Sequence, residues 1–286
     1  MKHELRLRIG PVGFRIGSAW EEPVAALKAL YSAYPEPELC DFTVRLEPEK
    51  PWRRWLRPSV AIAGDYMLPD AAPLSLEHGL LAAEMGMNLQ MALGQRRYLL
   101  LHAASVERDG RAVILTGESG AGKSTLAALL GEKGWRLMGD EFALLDLEDG
   151  SLRAFPRAVS LKNGAIRVLE QVAPADRFGP RLENTPKGAI RHLRPNDQAL
   201  ERMDAPAKPC LILFPRFGET EAVRPVGAAE VFMRLTQAST NYVALGGRAF
   251  EGLSRLVQRC PALAVDYPDG QAAERLVETL FAEARP

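Results

Sequence analysis

A strand-like run, AVILT over 112–116, leads into Gly117-Glu118-Ser119-Gly120-Ala121-Gly122-Lys123-Ser124, and an apolar-periodic helical run, STLAALLGEKG, follows. No other stretch constrains the chain as much. The octet fits G-x-x-x-x-G-K-[ST], a pattern that average composition yields by chance in roughly one chain of this length in a hundred, and a strand before and a helix after is the context in which it works. Glycines let backbone N–H groups turn inward around phosphate oxygens, and the helix N-terminus adds partial positive charge. The lysine reaches the β and γ phosphates, and the hydroxyl of Ser124 is a ligand for Mg²⁺. The pattern therefore marks Gly117, Glu118, Ser119, Gly120, Ala121, Gly122, Lys123, Ser124 and Thr125 as the nucleotide cradle, with ATP and Mg²⁺ as cofactors. The bland alternative is a glycine-rich turn that binds nothing.

Asp140-Glu141 follow closely, in GWRLMGDEFALLD, only a short helix and strand beyond Lys123. Two adjacent carboxylates at a strand end near a triphosphate can divide labour, one ordering Mg²⁺ and one accepting a proton from a substrate hydroxyl; alone, such a pair reads as solvated surface. His102 follows YLLL and begins a strand that turns at Asp109-Gly110 to run beside the P-loop strand. It is placed to tune or relay a proton there. Adjacent residues on an extended segment point to opposite sides. Asp140 directly follows Gly139, whose missing side chain leaves room for a ligand, so the expected catalytic set is Asp140 as base, assisted by His102, with Lys123 on the phosphates and Glu141 beside Ser124 at the metal.

The remaining chain sets an α/β frame. Residues 4–16 alternate as one half-buried strand, 23–34 has helical spacing, and 41–47 and 59–66 read as strands, giving a small α+β module over 1–72 that ends in LPDAAP. The second unit, 73–286, begins with an amphipathic helix over 76–94. Strands are expected at 136–138, 142–147, 152–155 and 210–214, and helices at 124–133, 163–172, 227–238, 248–259 and 271–284. Thirty-six basic residues balance 36 acidic ones in the 286-residue chain, which argues against a nucleic-acid or anionic-membrane partner set by net charge. Cys40, Cys210 and Cys260 lie far apart without metal-ligand spacing. A reduced, cytoplasmic protein with no membrane partner is the expectation.

The run LLLHAASVERDGRAVILTGESGAGKSTLAALLGEKGWRLMGDE resembles the HPr kinase/phosphorylase superfamily, and more closely its HprK-related kinase A group. It carries a strand histidine, a hairpin, the P-loop and then a glycine-hydrophobic stretch ending in paired acids. Phosphoenolpyruvate carboxykinases share the early acidic pair and a related nucleotide core. The likeness is specific over about 98–147, extends through FPRAVSLKNGAI, TPKGAIRHLRP and the closing STNYVALGGRAFEGLSRLVQRCPALAVDYPD, and is weakest before residue 70. It implies an HPr-kinase/carboxykinase-type P-loop core, Lys123 and Ser124 as phosphate and Mg²⁺ contacts, His102 as the residue assisting the base, and the two acids as base and metal positions. The chain departs from the pattern in having Asp140-Glu141 where HPr kinases have Asp-Asp, and in lacking their LGRG-type segment.

The implied activity is ATP-dependent transfer of the γ-phosphate to a hydroxyl, on Ser or Thr of a peptide or protein, in company with a PqqD-like peptide chaperone. A small-molecule kinase and a nucleotide-gated scaffold without transfer are the alternatives. HPr kinases are hexamers, so a homo-oligomer is a further expectation. Two basic segments stand apart. Lys187, Arg191, His192 and Arg194 suit a phosphate, an acidic acceptor or plain solvent; Lys50, Arg53, Arg54 and Arg57 interleave with Trp52 and Trp55, a mix for stacking on nucleic acid, seating a peptide, or a solvated loop.

Overall fold

The computed structural model describes residues 2–68 and 71–284, a mixed α/β fold with four sheets. Pro69 and Asp70 of the expected boundary loop lie outside the described residues. The first sheet has the order β1 (His3–Ile9), β2 (Val12–Ser18), β3 (Phe42–Pro48), β4 (Ser59–Gly64), β5 (Leu74–Ser75). The run expected as one strand over 4–16 is thus a hairpin, turning at Gly10-Pro11. Gly10 has φ 50°, and a Cβ there would lie 1.9 Å from the Ala154 carbonyl oxygen, so the turn requires glycine and docks on the rest of the molecule.

Helices α1 (Glu21–Leu30) and α2 (Gly79–Gly94) cover this sheet. Met87 and Met91 of α2 join Val44, Leu46 and Val60 in one apolar core, while Met85 and Leu93, which the three-and-four spacing also placed on the buried stripe, are exposed. The covering helix therefore comes from beyond residue 72. Phe142, Leu144 and Phe155 enter the same core, so the first sheet is cemented directly to the segment carrying the acid pair.

Further along lie β6 (Tyr98–Leu101), β7 (Ala103–Arg108), β8 (Arg111–Thr116), α3 (Lys123–Glu132), β9 (Arg136–Gly139), β10 (Ala143–Asp146), β11 (Leu152–Arg153), β12 (Val159–Lys162), α4 (Gly164–Glu170), β13 (Phe178–Thr185), β14 (Gly188–Leu193) and α5 (Asp197–Glu201). The chain closes with β15 (Lys208–Phe217), β16 (Ala222–Pro225), α6 (Ala228–Ala238), α7 (Tyr242–Leu245), α8 (Gly247–Arg259), β17 (Ala262–Tyr267) and α9 (Gly270–Glu283). The central sheet runs β16-β17-β15-β8-β7-β9, with β8, β15 and β17 mutually parallel. Val113, Ile114 and Leu115 of β8 are fully buried because helices pack on both faces. Each such side chain contributes about 1.5–3 kcal/mol of burial.

The Asp109-Gly110 turn closes the β7–β8 hairpin as expected. Helices 124–133, 227–238, 248–259 and 271–284 appear within a residue or two at each end. Two small sheets, β11-β10-β6 and β12-β14-β13, flank the centre. Among the described residues no helix is long and apolar enough to cross a membrane. All three cysteines are free.

Candidate functional site

The octet forms the turn from the carboxyl end of β8 to the first residue of α3. Gly117, Gly120 and Gly122 take φ of 140°, 87° and 91°, which side-chain-bearing residues rarely adopt. A Cβ on Gly122 would also stand 3.2 Å from the Tyr267 hydroxyl and 3.3 Å from Phe217, so this glycine is fixed by packing as well. Lys123 folds back over the loop, its ammonium donating to the carbonyls of Gly117 at 2.8 Å and Glu118 at 2.7 Å. Burial lowers its pKa, against which Asp140 and Glu141 work.

The acids follow β9 in a bend and diverge. Asp140 is buried; the Ser160 amide donates to its Oδ2 at 3.2 Å, while Oδ1 has no partner. Burial raises its pKa and the charge of Glu141 adds to that, opposed by the Ser124 hydroxyl, the Ser160 amide and Lys162. Glu141 turns the other way, to His102, whose Nε2 lies 3.4 Å from its Oε1, both side chains being partly exposed. His102 holds that carboxyl down at about 2, assisted by Arg157 and Lys162.

This pairing reverses the expected one. His102 meets Glu141 rather than Asp140, and the carboxylate beside Ser124 is Asp140 rather than Glu141. The two side chains part at a bend rather than by alternation along an extended run. The misleading step is Gly139: a Cβ there would lie 2.6 Å from the Phe142 carbonyl, so its open side is filled by the chain's own bend and admits no ligand.

The residues present fit Mg²⁺. A buried carboxylate oxygen without a partner, next to a serine hydroxyl, is a hard oxygen donor set for an ion that keeps waters and substrate phosphates as its other ligands. Among the described residues no group of three or more His, Cys, Asp or Glu is gathered to hold a metal without such help.

Three contributors escaped the sequence reading as individual residues. Lys162, at the end of β12, acts electrostatically on Lys123, Asp140 and Glu141. Ser160 supplies the amide on Asp140, and Arg157 lies behind Glu141, donating to Glu84 and Asn88 of α2. All three sit in FPRAVSLKNGAI, a segment without a local pattern that marks them. The basic run at 187–194 does not join the site as a cluster. Arg191 pairs with Glu170 at 2.5 Å, Arg194 with Asp176 at 3.6 Å, and His192 is buried in β14.

A cleft of about 1050 Å³ opens beside the loop, between His102, residues 117–121, the end of β15 with Arg216 and Phe217, and Glu230 and Arg234 of α6. A family model described as "SynChlorMet cassette protein ScmC" matches residues 80–162, less than half of the chain but including the octet, the histidine and both acids. No curated protein matches. Among solved structures the chain is similar to the Hpr(Ser) kinase/phosphatase from Coxiella burnetii, at 15% identity over 64% of this chain and 94% of that one, with a TM-score of 0.29. At that score the likeness carries no argument about fold or activity, and the functional reading rests on the site itself.

Proposed function

We propose that this protein is an Mg²⁺-dependent ATP phosphotransferase of the HPr-kinase-related kind, moving the γ-phosphate to a serine or threonine hydroxyl of a peptide or protein. The observation that carries the reading is the split of the acid pair at one end of the P-loop helix: Asp140 toward Ser124, Glu141 toward His102, with both acting on Lys123. An NTP-binding loop needs only the first half of that arrangement. The second half adds an ionised carboxylate that acts electrostatically on Lys123, which suits the base that transfer to a hydroxyl requires.

Lys123 and the backbone N–H groups opening α3 hold the phosphates. Ser124 and Asp140 would hold Mg²⁺, which when bound draws charge from the phosphate oxygens. Glu141 accepts the proton of the acceptor hydroxyl, and His102 orients it and stabilises its charge. As the new oxygen–phosphorus bond forms, the bond to the β-bridging oxygen breaks and ADP departs. Lys162 offsets the charge that gathers around the transferring group. The open cleft of about 1050 Å³ reaching from His102 past the loop leaves room for an acceptor beside the nucleotide, and the choice of a polypeptide over a small molecule rests on the resemblance to the HPr-kinase-related group.

Incubation with γ-labelled ATP, a peptide mixture and free hydroxyl compounds, followed by mass spectrometry, tests the reading. Label on Ser or Thr is the expected result, and label on a free amino acid or sugar establishes the small-molecule alternative. Lys123→Ala should abolish labelling and weaken Mg·ATP binding at least about tenfold with unfolding unchanged. Unchanged affinity by calorimetry overturns the phosphate cradle.

A further inference from the structure

The loop joining β3 to β4 belongs to neither the phosphate cradle nor the acid pair. It opens with a 3-10 turn over Pro51–Arg54 and is tied to the first sheet from behind: the Trp20 indole donates to the Arg54 carbonyl at 3.0 Å, and the Arg54 guanidinium to the Ala19 carbonyl at 3.2 Å. Three large apolar side chains stand out from this anchored base. Trp52 is 56% exposed, Trp55 76% and Leu56 67%. Each indole has a cation beside it, the Lys50 ammonium 5.6 Å from the Trp52 ring centroid and the Arg54 guanidinium 5.5 Å from that of Trp55.

Residues 50–57 contain four cations and no carboxylate. Arg53 bonds the loop's own Arg57 carbonyl at 3.2 Å, so it and Arg54 are held by carbonyls rather than neutralised. The balanced charge of the whole chain hides this local excess.

Side chains with more than half of their surface in solvent are presented outward rather than folded into a groove for a peptide. Its apolar surface, roughly 400 Å², is about half of the ~800 Å² that one side of a stable protein interface contributes. Indoles flanked by lysine and arginine are, in contrast, what the headgroup layer of a bilayer accepts: the ring lies among headgroups and the cation stays at the phosphates. We propose that residues 50–57 dock the protein reversibly on an anionic lipid bilayer. Trp52, Trp55 and Leu56 enter the headgroup layer, while Lys50, Arg53, Arg54 and Arg57 face lipid phosphates. The inference goes beyond phosphate transfer and does not depend on it.

The test uses the full chain with phosphatidylcholine vesicles, with and without phosphatidylglycerol, read by co-sedimentation and tryptophan emission. Trp20 and Trp135 are buried, so an emission change on binding reports Trp52 and Trp55. The expected result is a blue shift and sedimentation with the anionic vesicles, at least about tenfold weaker with neutral ones and weakened by salt. Trp52→Ala with Trp55→Ala, and separately Lys50→Glu with Arg53→Glu, should each lower vesicle affinity at least about tenfold while leaving Mg·ATP affinity and unfolding unchanged. Equal binding to neutral vesicles, or equal binding by the variants, overturns the proposal. So does an emission shift with polyglutamate but not with vesicles, which assigns the tip to an acidic polypeptide, or a dimer in light scattering that only the variants lose, which assigns it to a second copy.

Discussion

At the end of the central sheet where β7 turns into β8, Glu107 and Arg136 are fully buried and paired, and of their side-chain polar atoms Arg136 Nη2 is the one left without a partner. Glu107 also accepts from the Gly110 amide at 2.6 Å, and Arg136 donates to the carbonyls of Arg202 and Ala205. Nearby, Glu278 binds both Arg108 and the Trp135 indole. At the opposite end, where β8 gives way to Gly117, Asp140 is also buried yet keeps one oxygen without a partner, and so does the Tyr267 hydroxyl behind Gly122. One end spends its polar groups on holding the strands together. The other leaves a carboxylate oxygen and a hydroxyl uncommitted beside the phosphate loop, a pattern that costs stability and is retained where a ligand completes the set.

If that contrast is right, mutations at the two ends must separate activity from stability. The largest effect belongs to the cleft end. Glu141→Gln should lower phosphate transfer by about two to four powers of ten, the range for loss of a general base, with Mg·ATP affinity and unfolding nearly unchanged. Full activity in this variant, with loss of transfer confined to Asp140→Asn, would restore the assignment expected from sequence.

Next in size is the hairpin end. Glu107→Gln leaves the Arg136 guanidinium buried beside a neutral amide, and uncompensated burial of that kind costs about 3–5 kcal/mol. Urea unfolding should show it, while Mg·ATP affinity per folded molecule stays at the wild-type value. A change in affinity with little change in stability would mean the two ends are coupled. Asp140→Asn should do the reverse. Burial raises the pKa of this carboxyl above its unfolded value, so at neutral pH the ionised group works against folding. Removing its charge should raise the thermal midpoint of the ligand-free protein and raise the Mg²⁺ concentration needed for ATP binding. A lower midpoint would show that Asp140 is a structural carboxylate.

The same contrast explains what was legible in the sequence. The cradle is nine contiguous residues whose backbone conformation is encoded by their own glycines, so local reading suffices. Lys162, Ser160 and Arg157 reach the acids only because β12 pairs with β14 in a separate small sheet and α2 packs behind it, and neither long-range event leaves a periodic trace. The strand β17 shows the limit on the fold side. ALAVDY follows Pro261 as a short apolar run, and a parallel strand buried beside β15 lacks the alternation that identifies one. Which of the two acids faces His102 depends on where the strand pairing around β7 and β9 places the histidine, and the acids themselves carry no trace of that.

The smallest effect is also the sharpest test of where stability resides. Asp266, on β17 at the rim of the cleft, accepts from Arg216 at 2.9 and 2.8 Å and pairs with Arg224 at 2.7 Å. Arg216 above all holds its pKa down at about 2. Because the folded value lies below the unfolded one, near ~3.9, this pairing contributes stability that is present above the unfolded value and lost as pH falls through about 2. Both guanidinium groups are about half exposed, so solvent and salt screen the pair and its contribution at neutral pH is small. Urea midpoints of wild type and Asp266→Asn should therefore differ slightly at pH 7, converge as the pH drops from about 4 toward 2, and differ less in high salt. A gap at pH 7 as large as that of Glu107→Gln would place a main stabilising network at the cleft end after all, and the division of labour between the two ends of the sheet would fail.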